Sequence, residues 1–224
     1  MRILFCVNSL GARGGIERVT IVKANALAEL TDDHGTPVNS VAIAFSDRFR
    51  FPETIHPLSS LVKTYDTEAD IWHNWNDHGL KKITEPVRKM WKYFRRLQRV
   101  VNSFRPDVIV GVGQSEKFLI PFLKSEKPIL RIREVHFNSS YRRNTYGSGW
   151  KSEIKIKVAD FIDYKINCRL YDHVYLLTKE DKDENFASNN RFSWMWNPCS
   201  FKKLDCDCAD MRDHVVCAVG RPHD

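Results

Sequence analysis

Residues 2–30, RILFCVNSLGARGGIERVTIVKANALAEL, decide the fold of this chain. The apolar run at the start predicts a buried strand over 2–7, and apolar residues at helical spacing predict an amphipathic helix over 16–30. The connection between them carries three glycines, Gly11, Gly14 and Gly15. A strand, a glycine-rich turn and a helix N-terminus together favour anion binding, because free backbone N–H groups and the helix dipole attract negative charge.

The glycine turn matches neither of the two common phosphate-binding motifs. The dinucleotide fingerprint needs G-x-G-x-x-G, and a P-loop needs Gly-Lys followed by Ser or Thr. The sequence GARGGIER at 11–18 contains neither pattern. From these residues alone, a plain strand–helix turn and a turn that brings the backbone close to a ligand are both open.

The alternation of strand and helix continues along the chain. Further strands are predicted at 38–46, 61–66, 106–113, 128–136, 172–178, 192–198 and 214–221. Further helices are predicted at 84–104, 115–125, 152–171 and 179–188, with a polar loop at 67–80. Near-continuous apolar strands that alternate with helices predict an α/β fold, a Rossmann-like doubly wound parallel sheet with helices on both faces.

The composition limits the classes of partner. The 224 residues carry a net charge of +7, which favours a negatively charged partner: nucleic acid, a phosphorylated ligand or an anionic membrane surface. No nucleic-acid-binding module and no strand face of stacking aromatics is present, so we expect no nucleic-acid partner. No secretory signal and no apolar run long enough to span a bilayer is visible, and we expect a cytoplasmic protein.

The six cysteines show no disulfide framework. Cys6 lies in an apolar run, where a thiol acts as a small hydrophobe. The CDC sequence at 206–208 lacks the further ligands that a metal site needs. The sequence therefore predicts reduced thiols and no metal.

The order of these segments resembles the N-terminal domain of the GT-B glycosyltransferases of family 4. In that family the first strand ends in N-S-L and the next loop carries G-G-x-E-R, which correspond here to residues 8–10 and 14–18. Later segments resemble the family in the same order: FRPDVIVGVG at 104–113, REVHF at 133–137, YDHVYLLTKED at 171–181, WNP at 196–198 and VVCAVGR at 215–221.

The resemblance implies a domain organisation and a reaction. Residues 1–200 would form the acceptor-side Rossmann-like domain, and 201–224 a linker with the first strand of an incomplete donor domain. The Lys and the Glu-x7-Glu motif that follow in the family are absent from this sequence. The implied reaction moves a sugar, as in hexosyltransferases, from a nucleoside-diphosphate sugar to an acceptor hydroxyl in polysaccharide or glycolipid synthesis.

Two other functions remain open beside this one. The first is a catalytically incomplete fragment that acts as a binding domain or needs a partner donor domain. The second is a nucleotide-dependent enzyme such as a dehydrogenase. The dehydrogenase is disfavoured, because its glycine fingerprint is missing and the second predicted strand ends in AIAFS, without an acidic residue.

The resemblance also implies site residues. Gly14, Gly15 and Arg221 would bind the donor diphosphate, with no metal and no cofactor besides the nucleotide sugar. His136, at the end of a predicted strand, is the candidate catalytic residue; a purely structural histidine is the alternative. Candidate acceptor-binding residues are Glu17, Arg18, Arg142 and Arg143.

The basic charge of the chain is concentrated in one helix. Residues 81–105 carry nine basic residues and one acidic residue, a net charge of +8. A basic amphipathic helix favours an anionic membrane surface, on the inner face of the cell membrane, as a peripheral contact. The candidate contacts are Lys89, Lys92, Arg95, Arg96 and Arg99, with a solvated helix face as the alternative. An apolar stripe on the same helix predicts a buried side that includes Val87, Leu97, Val101 and Phe104.

Overall fold

The computed structural model describes residues 1–11, 14–46, 56–71, 81–137, 142, 146–147 and 149–198. Within these residues, one sheet contains seven strands: β1 (Arg2–Cys6), β2 (Ser40–Phe45), β3 (Lys63–Asp66), β4 (Val108–Gly111), β5 (Leu130–Val135), β6 (His173–Leu176) and β7 (Phe192–Trp194). The strand order is β3-β2-β1-β4-β5-β6-β7, and every neighbouring pair is parallel. The predicted Rossmann-like parallel α/β sheet is confirmed.

Within the described residues, the helices that alternate with the strands are α1 (Gly15–Glu29), α2 (Lys81–Phe104), α3 (Trp150–Asp160) and α4 (Lys179–Phe186). Helix α3 continues into a π-helical turn (Phe161–Ile166) and a 3-10 turn (Asn167–Leu170). The helix predicted at 115–125 is wrong, because this segment forms two short 3-10 turns. Pro121 has no backbone N–H to donate, so a regular α-helix loses a hydrogen bond there.

The helices cover both faces of the sheet because successive strand residues point to opposite sides. In β1, Phe5 packs in one core cluster with Ile21 of α1. Its neighbours Leu4 and Cys6 pack in the other cluster with Leu97 of α2. Both clusters are buried, which explains why the strands read as continuous apolar runs.

The order of the strands reverses between β1 and β4. From β1 the chain proceeds to β2 and β3 on one side, then crosses to β4 on the other side. Doubly wound sheets bind their ligands in the crevice outside the carboxyl ends of the strands at this point. In this chain, residues 7–11 and 112–115 follow those two strand ends.

Helix α2 is longer than the sequence predicts. It begins at Lys81 rather than at Thr84, so Pro86 lies inside the helix. Its 24 residues extend over about 36 Å, whereas strands of four to six residues cover only about 13–20 Å. The first part of α2 therefore extends beyond the sheet.

Because α2 extends beyond the sheet, only part of the predicted apolar stripe is buried. Leu97, Val101 and Phe104, in the second half of α2, are buried as predicted. The prediction is wrong at Val87, which lies in the first part of α2 and is 64% exposed. The predicted strand at 214–221, the segment 201–224 and most of the loop at 67–80 lie outside the described residues.

We expect Leu97→Ala to lower the free energy of unfolding by about 2–5 kcal/mol, since it leaves a cavity in a fully buried site. The matched change Val87→Ala on the same helix should stay within about 0.5 kcal/mol, because Val87 is mostly exposed. Urea unfolding followed by circular dichroism measures both. Equal losses would contradict the way in which α2 packs on the sheet.

Candidate functional site

The glycine turn lies at the point where the strand order reverses. Gly14 caps α1 with φ −95° and ψ 158°, an extended conformation that any residue adopts. Neither Gly14 nor Gly15 has a positive φ, so a tight left-handed turn does not explain them. A Cβ added to Gly15 would meet no other described atom within 4 Å, so the space beside Gly15 at the start of the helix is open among the described residues.

Glu17 lies beside this glycine pair in the first turn of α1. A Cβ added to Gly14 would overlap its carboxylate, so the chain itself occupies the space on that side. A carboxylate in the first turn also stabilises the positive end of the helix dipole. The structure thus places the predicted residues Glu17 and Arg18 next to the predicted Gly14 and Gly15.

A buried carboxyl group lies across the crevice, behind β4. Glu116 is fully buried, and its Oε1 accepts a hydrogen bond of 2.5 Å from the backbone N–H of Gly113. Among the described residues, its Oε2 and the Oδ1 of Asn8 find no hydrogen-bond partner. Both oxygens lie within 2.9 Å of the position that a Cβ on Gly113 would take. Glu116 and Asn8 therefore approach Gly113 from opposite sides of the crevice. Burial raises the pKa of Glu116 to about 7, so this carboxyl group is partly protonated at neutral pH and can then act as a donor.

Strand β5 ends in a charged cluster on the α1 face of the sheet. Oε2 of Glu134 lies 3.1 Å from Nε2 of His136 and 2.8 Å from Nζ of Lys23 on α1. The side chains of His136 and Glu134 are 4% and 8% exposed. Burial alone raises the pKa of Glu134, but the His136 hydrogen bond and the Lys23 charge outweigh it and lower the pKa. The ionised carboxylate therefore holds one nitrogen of the predicted catalytic histidine and links β5 to α1.

A second charged cluster lies on the opposite face of β5. Asp163, in the π-helical turn, lies 2.6 Å from Nη2 of Arg133 and 2.9 Å from Nζ of Lys117. Arg142 contacts both Asp163 and Asp160. Burial opposes ionisation of Asp163, but Arg133 and Lys117 outweigh it and hold the pKa of Asp163 below its usual range. The predicted residue Arg142 is thus held in an ion cluster, and Arg143 lies outside the described residues.

A cavity of about 340 Å³ borders this second cluster at the carboxyl ends of β5 and β6. Its walls include the rings of Phe137, Tyr164 and Phe186, and its polar groups include Asp181 and Lys165. Burial raises the pKa of Tyr164 to about 12, so its hydroxyl stays protonated at neutral pH. The cavity combines apolar ring faces with hydrogen-bonding groups, within the usual volume of ligand pockets of about 300–1,000 Å³.

The basic residues predicted on α2 divide into two groups. Nζ of Lys89 lies 3.5 Å from Asp70, and Nη1 of Arg96 lies 2.6 Å from Glu68. The other three, Lys92, Arg95 and Arg99, are exposed. Within the described ranges, no helix combines the length and the apolar character that crossing a bilayer requires.

The sequence matches no family model, and it matches no curated protein. Solved structures do share its fold. The apo form of the lipopolysaccharide outer core galactosyltransferase WaaB superposes with a TM-score of 0.54 at 14% identity, over 90% of this chain and 47% of that chain. Sucrose-phosphate synthase from Thermosynechococcus elongatus superposes with a TM-score of 0.57 at 11% identity, over 87% of this chain and 47% of that chain.

The chain has the fold of one half of a GT-B glycosyltransferase. It spans about half the length of the two structures that it matches. The GT-B resemblance deduced from the sequence is confirmed at the level of the fold. The roles of the individual site residues remain predictions.

Sequence reasoning missed most of the ionised groups in this GT-B half. Glu134 was detectable, because it lies two positions before His136 and alternate residues of a strand share a face. Arg133 also gave a signal, since a charge inside an apolar strand needs a buried partner. The partners Lys23 and Asp163 gave none, because they lie 111 and 30 residues away from these strand positions.

We expect the free energy of unfolding to decrease between about pH 4.5 and pH 7 because of Glu116. Its pKa is about 7 in the folded protein and 4.5 in its ordinary state, so the folded state holds the proton more tightly. The resulting stabilisation is fully present below pH 4.5 and is lost as the pH rises through 7, by about 3 kcal/mol in total.

The variant Glu116→Gln isolates this contribution, because its amide can accept from Gly113 and donate toward Asn8 without titrating. Urea unfolding at each pH should give a smaller pH dependence for Glu116→Gln than for the unchanged protein. Identical pH profiles for the two proteins would show that Glu116 does not hold this proton.

Proposed function

We propose that this chain is the acceptor-side half of a glycosyltransferase. It would act in the transfer of a sugar, a hexose in this proposal, from a nucleoside-diphosphate sugar to an acceptor hydroxyl in polysaccharide or glycolipid synthesis. The GT-B fold supports a glycosyltransferase. The name of one matched structure, a lipopolysaccharide galactosyltransferase, supports a glycan acceptor.

The open space at Gly15 is the observation that carries this proposal. It lies at the reversal of strand order, where ligands of doubly wound sheets bind, and beside a helix N-terminus, whose dipole favours an anion. A donor diphosphate would accept hydrogen bonds from the backbone at Gly14 and Gly15. Arg221, outside the described residues, would supply a positive charge from the other side. No metal and no further cofactor is part of the proposal, because these groups neutralise the leaving diphosphate.

His136 would be the catalytic residue that contacts the reacting sugar or the acceptor. The carboxylate of Glu134 holds Nε2, so a substrate atom would meet the other ring nitrogen, Nδ1. Lys23 neutralises Glu134, so the site does not present an unpaired negative charge to an anionic donor. Glu134 would thus act as a positioning residue that fixes the tautomer of the imidazole.

The cavity beside β5 and β6 would bind the acceptor. A sugar ring can lie against Tyr164 and Phe186 and exchange hydrogen bonds with Asp181 and Lys165. Arg142 is 5.7 Å from the centre of the Tyr164 ring and belongs to the charged wall of this region. Arg143, Glu17 and Arg18 are proposed as further acceptor contacts.

The alternative function is a binding domain, or a half that needs a partner donor domain. The chain spans about half the length of each structure that it matches. We propose a cytoplasmic location at the inner face of the membrane in either case. Lys92, Arg95 and Arg99 of α2 would contribute positive charge there, whereas Lys89 and Arg96 are paired within the chain.

The test is the transfer of labelled sugar from UDP-glucose, UDP-galactose or GDP-mannose to a lipid-linked or polysaccharide acceptor. Gly15→Val should weaken nucleotide binding at least about tenfold without unfolding the protein, because a Cβ at this position meets no other described atom within 4 Å. His136→Ala should keep donor binding and lower the transfer rate about 10²–10⁴-fold. Isothermal titration and a transfer assay separate the two effects.

Each outcome decides a different part of the proposal. Full transfer by His136→Ala would remove this residue from the catalytic role, and unchanged binding by Gly15→Val would remove the glycine turn. Acceptor binding without any transfer would support the binding domain. Glu184→Gln, on the exposed side of α4, is the matched control and should change neither measurement.

A further inference from the structure

Two cavities border the π-helical turn, and together they form one groove. The first, of about 340 Å³, is the cavity at the carboxyl ends of β5 and β6. The second has a volume of about 370 Å³, and its wall includes Arg191 and Phe192, where β7 begins. Both cavities have Tyr164, Lys165 and Phe186 in their walls. The groove therefore runs from the carboxyl edge of the sheet toward the start of β7, which is separated from β1 and its glycine turn by three strands.

Aromatic rings form a wall along this groove. The ring centroids of Tyr164 and Phe186 are 5.4 Å apart, and those of Phe186 and Phe192 are 4.0 Å apart with nearly parallel planes. Phe192 belongs to the buried core, so the wall is anchored in the fold. Phe161 adds an exposed ring at the first cavity. Aromatic walls with a few polar groups are typical of ligand sites, and such rings can pack against the apolar C–H faces of sugar rings.

The two cavities differ in charge. The first is lined by two acidic and two basic residues. The second is lined by three basic residues, Lys165, Arg169 and Arg191, and by no acidic residue among those that the structure describes. Nη1 of Arg191 donates a hydrogen bond of 2.5 Å to the backbone carbonyl of Arg169, which holds this guanidinium at the wall. The second cavity therefore favours an anionic group, for which a preorganised guanidinium is well suited.

We propose that this groove binds an acidic oligosaccharide, with a neutral sugar unit in the first cavity and a carboxylate or phosphate group of a further unit in the second. This inference rests on the acceptor role proposed above for the first cavity, and it adds the charge and the direction of the acceptor. The accepting end would lie at the carboxyl edge of the sheet, the edge that also holds the glycine turn. The rest of the oligosaccharide would extend along the groove toward β7.

The test is isothermal titration of the full chain, without nucleotide, with two matched pairs of trisaccharides. Trigalacturonic acid and its methyl ester differ in carboxylate charge, whereas maltotriose 6-phosphate and maltotriose differ in one phosphate group. We expect the charged member of at least one pair to bind at least about tenfold more tightly than its neutral partner. The pair that shows this preference identifies the anion.

Three variants separate charge from ring contacts. Arg169→Gln/Arg191→Gln should reduce the preference to less than about threefold, because it removes both guanidinium groups of the second cavity. Phe161→Ala should weaken charged and neutral trisaccharides by the same factor, since its ring lines only the first of the two cavities. The matched control Lys63→Gln/Lys124→Gln removes the same charge elsewhere in the fold and should keep the preference. Thermal unfolding should change little in all three, because every changed side chain is exposed.

The outcomes separate this inference from the transfer reaction. A charge preference without sugar transfer from any donor would support the groove and contradict the glycosyltransferase. Equal affinity within both pairs, or no binding of any trisaccharide, would overturn the groove, even if a transfer assay succeeds. A preference that persists in Arg169→Gln/Arg191→Gln would also overturn it, and so would an equal loss in the Lys63/Lys124 control, which would indicate attraction by net charge alone.

Discussion

Strand β5 carries two opposite charges side by side in a buried sheet, and the candidate site depends on how they are neutralised. A buried charge is tolerated only with a partner, since removing it from water costs several kcal/mol. Glu134 faces one side and is paired with Lys23 of α1 and with His136. Arg133 faces the other side and is paired with Asp163 of the π-helical turn. Strand β5 therefore holds α1, the helix that follows the glycine turn, on one face of the sheet. On the other face it holds the π-helical turn, which forms part of the cavity wall.

This arrangement divides the domain between the two faces of its sheet. The α1 face contains the glycine pair, His136 and the carboxylate of Glu134, which is paired with Lys23. The opposite face contains the cavity and the ion cluster around Asp163. The two sets of groups meet only at the carboxyl edge of the sheet, where β5 ends.

The fold could be predicted because each strand is indicated by a short run of neighbouring residues in the sequence. The run VAIAF in β2 and the run VIVG in β4 are apolar at every position. This pattern is typical of strands that are buried on both faces of a parallel sheet. The glycine turn and His136 were found for the same reason, since each lies just after a recognisable strand. Val87 was misassigned because periodicity shows which side of a helix is apolar, but not where the sheet beneath it ends.

The ionised part of the site was not predictable in this way. Lys23 and Glu134 meet through the packing of α1 on β5, across 111 residues of sequence. Asp163 lies in a segment that reads as an ordinary helix, and its burial follows from Arg133 and Lys117 rather than from its neighbours. The buried acid Glu116 gave no signal at all, because its environment is built from Asn8 and Gly113 in two separate loops.

The π-helical turn connects the buried charges of the domain to its surface. A π-helix closes its hydrogen bonds over five residues instead of four and is rare. Asp163 of this turn is buried and forms salt bridges with Arg133 and Lys117, whereas Phe161 and Ile162 of the same turn are exposed. A substitution at Asp163 would therefore disturb two neighbourhoods together, the buried ion cluster and the outer surface of the same turn.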